Sequence, residues 1–216
     1  NATPYILLAP NRFKLHDYEG DLSSWKSFGQ WYGLLYKGRD VLPPQTVNFF
    51  KNLVKDVQDP KEKARKIYEY LQKNFRYVSI QLGIGGLQPF SAEFTDQIKY
   101  GDCKSLSNYM RAALSAVGVK SYSAVINAGT NGMPMDPDFP SKFSNHVILC
   151  MPVEKDTVWL ECTSNTSDFG VLGNFTENRN ALLITEQGGV LVPTPSSKPS
   201  DNSLNAKTVI SLKEDG

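Results

Sequence analysis

A chain of 216 residues, 40% hydrophobic and 21% charged, has the composition of an ordinary globular protein and is long enough to bury a core without staples. No apolar run approaches the roughly 18 residues a membrane helix needs. Lysines and arginines number 23 against 22 acidic residues, for a formal charge of +1, and no basic stripe is present, which argues against nucleic acid as a partner. The three cysteines (103, 150, 162) and two histidines (16, 146) form no CxxC pair and no HxxxH spacing. Neither a disulfide framework, nor a metal site, nor a cofactor is expected. The chain starts at Asn1 without a charged-then-apolar leader, which reads as a processed or excised piece.

Residues 1–45 mix aromatics with turn formers (Pro4, Pro10, Gly20, Gly29, Gly33, Gly38, Pro43, Pro44) and lack sustained periodicity. They read as a wrapping segment or linker, in which Ser23, Ser24 and Trp25 cap a short helix through Gln30 and Trp31. The aromatics there read as core packing rather than as a recognition stripe. A core then follows over residues 46–194. Its strongest helix signal is Asp59-Pro60-Lys61-Glu62, a cap followed by proline in the first turn, leading into Ala64, Ile67, Tyr68, Leu71 and Phe75 at helical spacing and ending near Asn74.

Residues 77–80 suggest a short strand, and Gly83-Ile84-Gly85-Gly86 a turn; with no helix directly after it, that glycine run is a poor phosphate loop. A second helix is expected from Gly101-Asp102 to about Val117. Cys103, Leu106, Met110, Ala113 and Val117 share one of its faces, and Gly118 supplies the stop. Strands follow at 122–127, 146–151, 157–162, 181–185 and 190–192, the last across Gly188-Gly189. Helices first and strands afterwards predict an α+β fold with helices packed on an antiparallel meander. Residues 195–216 read as a linker and the start of a truncated C-terminal β domain, with a strand over 208–212.

A thiol is a useful nucleophile near neutral pH only when something removes its proton, and a helix start and a neighbouring imidazole are the two common devices. Cys103 has the first. His146 follows a loop over 131–144 and opens a strand whose alternation puts His146, Ile148 and Cys150 on one side. On the next strand Trp159 and Glu161 share a face. A tight turn near residues 153–156 allows two registers, one with His146 directly opposite Glu161 and one with the two diagonal. Either lets a carboxylate hold one ring nitrogen while the other takes the thiol proton. An oxyanion would find the Cys103 backbone N–H at the helix start; Gln81, Gln88 and Asn145 are the candidates for a second donor or for the cleft wall.

The stretches Arg76-Tyr77-Val78-Ser79-Ile80, Tyr100-Gly101-Asp102-Cys103-Lys104, Asn145-His146-Val147-Ile148 and Trp159-Leu160-Glu161-Cys162-Thr163 resemble the bacterial transglutaminase-like superfamily. The closest pattern is that of multidomain members in which a papain-like core follows an N-terminal β-rich domain. The resemblance spans roughly residues 20–190. It implies Cys103 as nucleophile, His146 as general base and Glu161 as orienting acid; the family more often has Asp at the third position. It also implies a protein or peptide substrate, contacts with flanking domains of the same chain, and a periplasmic or cell-surface setting. The expected activity is acyl transfer or amide hydrolysis through a thioester, as a peptidase, an amidase or a cross-linking enzyme. The competing expectation is a non-catalytic protein- or glycan-binding module on the same fold.

Overall fold

In the computed structural model, which describes residues 6–129, 133–154, 156–201 and 204–211, the chain opens with an antiparallel hairpin of β1 (Arg12–Leu15) and β2 (Tyr18–Asp21). Ser24 then caps α1 (Trp25–Tyr36) through a capping box with Ser27. The helix runs past the expected end at Trp31, through Gly29 and Gly33. Phe28, Trp31, Tyr32 and Leu35 form a buried apolar stripe at helical spacing, and this packing outweighs the poor helix propensity of glycine.

Two further helices carry weak sequence signals. In α2 (Pro44–Leu53) the Pro44 expected to mark a turn is instead the first helical residue, where its missing N–H costs nothing. The seven-residue α4 (Ala92–Ile98) is capped by Ser91, which accepts from the Phe94 N–H, and ends on Lys99 in a left-handed conformation. Between them, α3 (Pro60–Asn74) has the expected cap at Asp59 and the expected end. The helix α5 (Cys103–Ala116) starts on Asp102, whose carboxylate accepts from the Ser105 N–H. The strand expected over 77–80 is only β3 (Arg76–Tyr77), paired in parallel with β4 (Tyr100–Gly101). Residues 83–86 form a single 3-10 turn.

The remaining strands are β5 (Tyr122–Ile126), β6 (His146–Val153), β7 (Asp156–Leu160), β8 (Asn180–Thr185) and β9 (Gly188–Pro193). They form one antiparallel sheet in the order β7-β6-β5-β8-β9. It is not a simple meander, because after β7 the chain returns across the sheet to place β8 beside β5. The β6–β7 ladder takes the diagonal register, with Leu149 opposite Leu160 and Cys150 opposite Trp159.

Both faces of the sheet are covered. Leu149, Met151, Val158 and Leu160 join a core with α2, α3 and α5, whereas Ile148, Cys150 and Trp159 pack with Ala124, Ala181 and Leu172 on the other side. Among the described residues no helix is long and apolar enough to cross a membrane. Residues 208–211 are not in a strand; Leu212, the last residue of the strand expected there, and the start of the loop expected from 131 lie outside the described residues.

The seat of α1 on β9 is unusually close. A Cβ at Gly29 would stand 2.1 Å from the Gly189 Cα, so only two glycines facing each other allow the approach. Gly29→Ala is therefore expected to destabilise the fold by about 1–3 kcal/mol or more through overpacking against backbone. A urea midpoint equal to that of the native chain would show that α1 can slide off β9 freely.

Candidate active site

Each side chain expected to carry chemistry is held by a different element. Cys103 is the first residue of α5, and its packing neighbours include Val125 and Val147 in the sheet. The start of that helix is fastened locally. Asp102 is buried; one of its oxygens accepts from the Ser105 N–H (3.0 Å) and hydroxyl (2.9 Å), and the other pairs with the equally buried Lys104 ammonium. The Ser105 hydroxyl in turn accepts from the Phe90 N–H at 3.0 Å. A helix start of this kind leaves the Cys103 N–H without an intrahelical acceptor.

His146 opens β6, and the loop before it is pinned from two sides. Trp25 Nε1 donates to the Asp136 carbonyl (2.9 Å), and the Tyr32 and Ser144 hydroxyls share a hydrogen bond (3.3 Å). The Asn145 amide bridges both backbone groups of Ala128, accepting at 2.7 Å and donating at 3.0 Å. That ties the entry of β6 to the exit of β5. Ser107 of α5 donates to the Val147 carbonyl at 3.3 Å, which keeps helix and strand in step.

Glu161 lies just past the end of β7, on a segment held by α3. Tyr68 donates to the Glu161 carbonyl (2.9 Å), and Gln72 Nε2 donates to the carbonyls of Ser164 (3.0 Å) and Ser167 (2.8 Å). The carboxylate reaches His146 Nε2 at 2.9 and 3.1 Å. Its Oε1 also accepts from the Thr163 hydroxyl (2.6 Å) and N–H (3.1 Å). Both side chains are nearly sealed, at 8% and 7% exposure.

With Nε2 taken by the carboxylate, Nδ1 is the ring nitrogen left for Cys103, which lines the same cleft. Burial alone would push the His146 pKa down. The hydrogen bonds to Cys103 and Glu161, with their Coulombic attraction, outweigh burial and raise it to about 9. Burial likewise opposes ionisation of Glu161, yet its bonds to His146 and Thr163 hold its carboxyl below the usual range. The other two thiols differ: burial pushes Cys150 up to about 12 and Cys162 higher still.

Cys103, His146 and Asn145 line a cleft of about 200 Å³ together with Tyr32, Gln81 and Lys104. Gln81 is thus at the cleft. Gln88 is not: its Oε1 accepts from Arg39 Nη2 (2.7 Å) and its Nε2 donates to the Tyr18 hydroxyl (3.2 Å), so its amide is spent holding the β1–β2 hairpin side of the molecule. Asn145 borders the cleft with its amide already committed to Ala128.

Four contributors escaped sequence reasoning. Thr163 braces Glu161. Phe175 stands edge-on to the His146 ring at 5.4 Å and screens it from water. Arg179 pins the Phe175 loop by donating to the carbonyls of Asn127, Gly129, Asn174 and Glu177. Lys104 lies at the cleft as a buried cation. Thr163 and Lys104 had a local signal, Thr163 two residues from the carboxylate and Lys104 next to Cys103 at the start of α5; Phe175 and Arg179 are brought in by a segment with no periodicity.

A profile of the transglutaminase-like superfamily matches residues 48–164. No curated protein matches the chain. Among solved structures, a proposed protease from Parabacteroides distasonis is 14% identical with a TM-score of 0.58, over 78% of this chain and 31% of that one. A proposed cysteine protease from Cytophaga hutchinsonii is 12% identical with a TM-score of 0.46, over 77% of this chain and 52% of that one. The chain therefore spans about a third to a half of the length of these two proteins. The helices packed on one antiparallel sheet are those of a transglutaminase-like, papain-like fold.

The raised His146 pKa has a sign that can be checked. A histidine whose folded pKa of about 9 exceeds its ordinary 6.5 contributes stability that is fully present below pH 6.5 and is lost as pH rises through about 9. The His146 ring, followed by NMR, is expected to titrate near 9 in a step shared with its partners, and to move down in Glu161→Gln. A ring titrating near 6.5 in the native chain would contradict the arrangement.

Proposed function

The chain belongs to the transglutaminase-like superfamily, and from that premise we propose that its cleft carries out cysteine-dependent acyl transfer on a carboxamide or peptide carbonyl, with Cys103 as nucleophile, His146 as acid and base, and Glu161 as orienting carboxylate. The observation that supports the reading is that Cys103 and His146 line one small cleft, with the imidazole hydrogen-bonded to a carboxylate that Thr163 braces. Structural thiols have no use for such an arrangement, as Cys150 and Cys162 illustrate.

In the proposed reaction the Cys103 proton resides on His146 Nδ1 as the sulfur attacks the carbonyl carbon. The backbone N–H of Cys103 stabilises the oxyanion, with the Gln81 amide, which lines the same cleft, as the candidate second donor. The C–N bond then breaks as His146 returns its proton to the departing nitrogen, which leaves a thioester on Cys103. Water or a primary amine attacks the thioester, giving its proton to Nδ1, and the thiol is restored when that proton returns to sulfur. Glu161 keeps Nε2–H engaged, fixes the ring orientation and stabilises the imidazolium. Phe175 keeps water from competing for that bond.

A blocked glutaminyl peptide offered with hydroxylamine reads both outcomes, hydroxamate for transfer to the amine and glutamate for hydrolysis. Cys103→Ala is expected to abolish both products, and Glu161→Ala to lower turnover by about 10²- to 10⁴-fold, as expected for a group that orients the base. Because the natural acyl donor is unknown, alkylation gives a substrate-free reading. Iodoacetamide should modify Cys103 at pH 6 at least about tenfold faster in the native chain than in His146→Ala. Equal rates in the two proteins would refute the nucleophile and favour a groove used only for binding.

A further inference from the structure

Six buried side-chain polar atoms have no hydrogen-bond partner among the described residues; Trp31 Nε1 and Thr95 Oγ1 stand apart, whereas Tyr36 Oη, Arg111 Nε, Ser121 Oγ and Ser123 Oγ belong to residues that all line one cavity of about 420 Å³. Unpaired buried donors are disfavoured about as much as lost hydrogen bonds, so several gathered around one space point to a missing partner rather than to scattered defects. Tyr36, Ser121 and Ser123 are 5%, 9% and 2% exposed. The cavity lies between the end of α1, the middle of α5, the start of β5 and the β8–β9 turn.

The chemistry of the lining selects the partner. Burial holds the Tyr36 phenol well above its ordinary pKa, so it stays protonated and donates. Arg111 turns Nη2 toward Asp40 (3.1 Å) and Asn108 (3.3 Å), which leaves Nε, a group that can only donate. Ser121 and Ser123, two apart, face the same side of the strand, and their hydroxyls can rotate to donate as well. The lining holds two basic residues (Lys37, Arg111) and two acidic ones (Asp40, Glu186); Asp40 pairs with Arg111 and Glu186 with Lys120 outside the lining, so both carboxylates are already engaged.

We propose that this cavity is a binding site for a small oxyanion, a carboxylate or phosphate group, cradled by Tyr36, Arg111, Ser121 and Ser123. It is separate from the cleft at Cys103: Arg111 lies eight residues further along α5, about 12 Å at the rise of an α-helix. It is also linked to that cleft, since Tyr36 sits one turn along α1 from Tyr32, which lines it. The proposal does not depend on the acyl-transfer reading.

Titrating the 216-residue chain with inorganic phosphate, and separately with acetate, at constant ionic strength tests the site by NMR. Saturable shifts are expected at the amides of Ser121 and Ser123 and at Arg111 Nε–H, with one of the two ions or both; whichever saturates names the chemistry. Tyr36→Phe and Ser123→Ala each remove a single hydroxyl and should weaken that binding about tenfold, the worth of one hydrogen bond. Because each removes a group without a partner, neither should lower the Tm of the ligand-free protein. Shifts that never saturate with either ion, or binding indifferent to both substitutions, would overturn the site. A lower ligand-free Tm in both variants would assign the hydroxyls to ordered water and overturn it equally.

Discussion

A buried imidazolium beside a buried carboxylate is tolerable only because each neutralises the other and every remaining lone pair finds a donor. His146 and Glu161 are such a pair: both are nearly sealed from solvent, and Glu161 Oε1 accepts from the Thr163 hydroxyl and N–H as well as from His146 Nε2. Losing either partner would strand the other as an uncompensated charge. The architecture around them can be understood as the means of keeping that pair together, from Tyr68 and Gln72 of α3, which never approach the sulfur, to Arg179, which holds the loop of the shielding Phe175.

The sheet explains how a helix-borne sulfur and a strand-borne ring can meet. Cys103 packs with Val125 and Val147, on the face covered by helices. His146 belongs to the alternate set of β6, with Ile148 and Cys150, whose side is covered by Leu172 and its loop. Side chains on opposite faces of a strand do not touch through it. Contact is possible because His146 is the first residue of β6, at the end of the sheet, where the start of α5 reaches it; the Asn145 bridge to Ala128 and the Ser107 bond to Val147 set that alignment. Several ångströms of slip along the strand would separate sulfur from ring without disturbing the hydrophobic core.

The molecule treats its buried polar groups in two ways. Around the cleft Asp102, Lys104, Asn145, His146 and Glu161 are closed into hydrogen bonds and ion pairs within the chain. Around the second cavity Tyr36, Arg111, Ser121 and Ser123 are left open. Trp31 Nε1 and Thr95 Oγ1 are unpaired singly, whereas these four share one space, and a ligand with acceptor oxygens would complete them as Glu161 completes His146. The helices α1 and α5 run past both places, so two pockets of different character share one rigid frame.

Much of this was legible in the sequence because it is written in local terms. The cap at Asp59, the helix start at Asp102 and Cys103, the alternation of β6 and β7 and the turn between them are patterns over a few residues. They suffice for an α+β fold, for Cys103, His146 and Glu161 as the candidate chemical residues, and for two possible strand registers. Tertiary packing alone selected the diagonal register, carried α1 through two glycines against β9, started α2 at a proline, and returned β8 beside β5. Packing also moved Gln88 away from the cleft and brought in Phe175, Arg179 and the Tyr36 cavity. Such contacts join residues tens of positions apart, and their free energy comes from burial that exists only once the chain has closed on itself. Local patterns therefore determined many of the elements and the candidate groups, and long-range burial decided which of those groups meet.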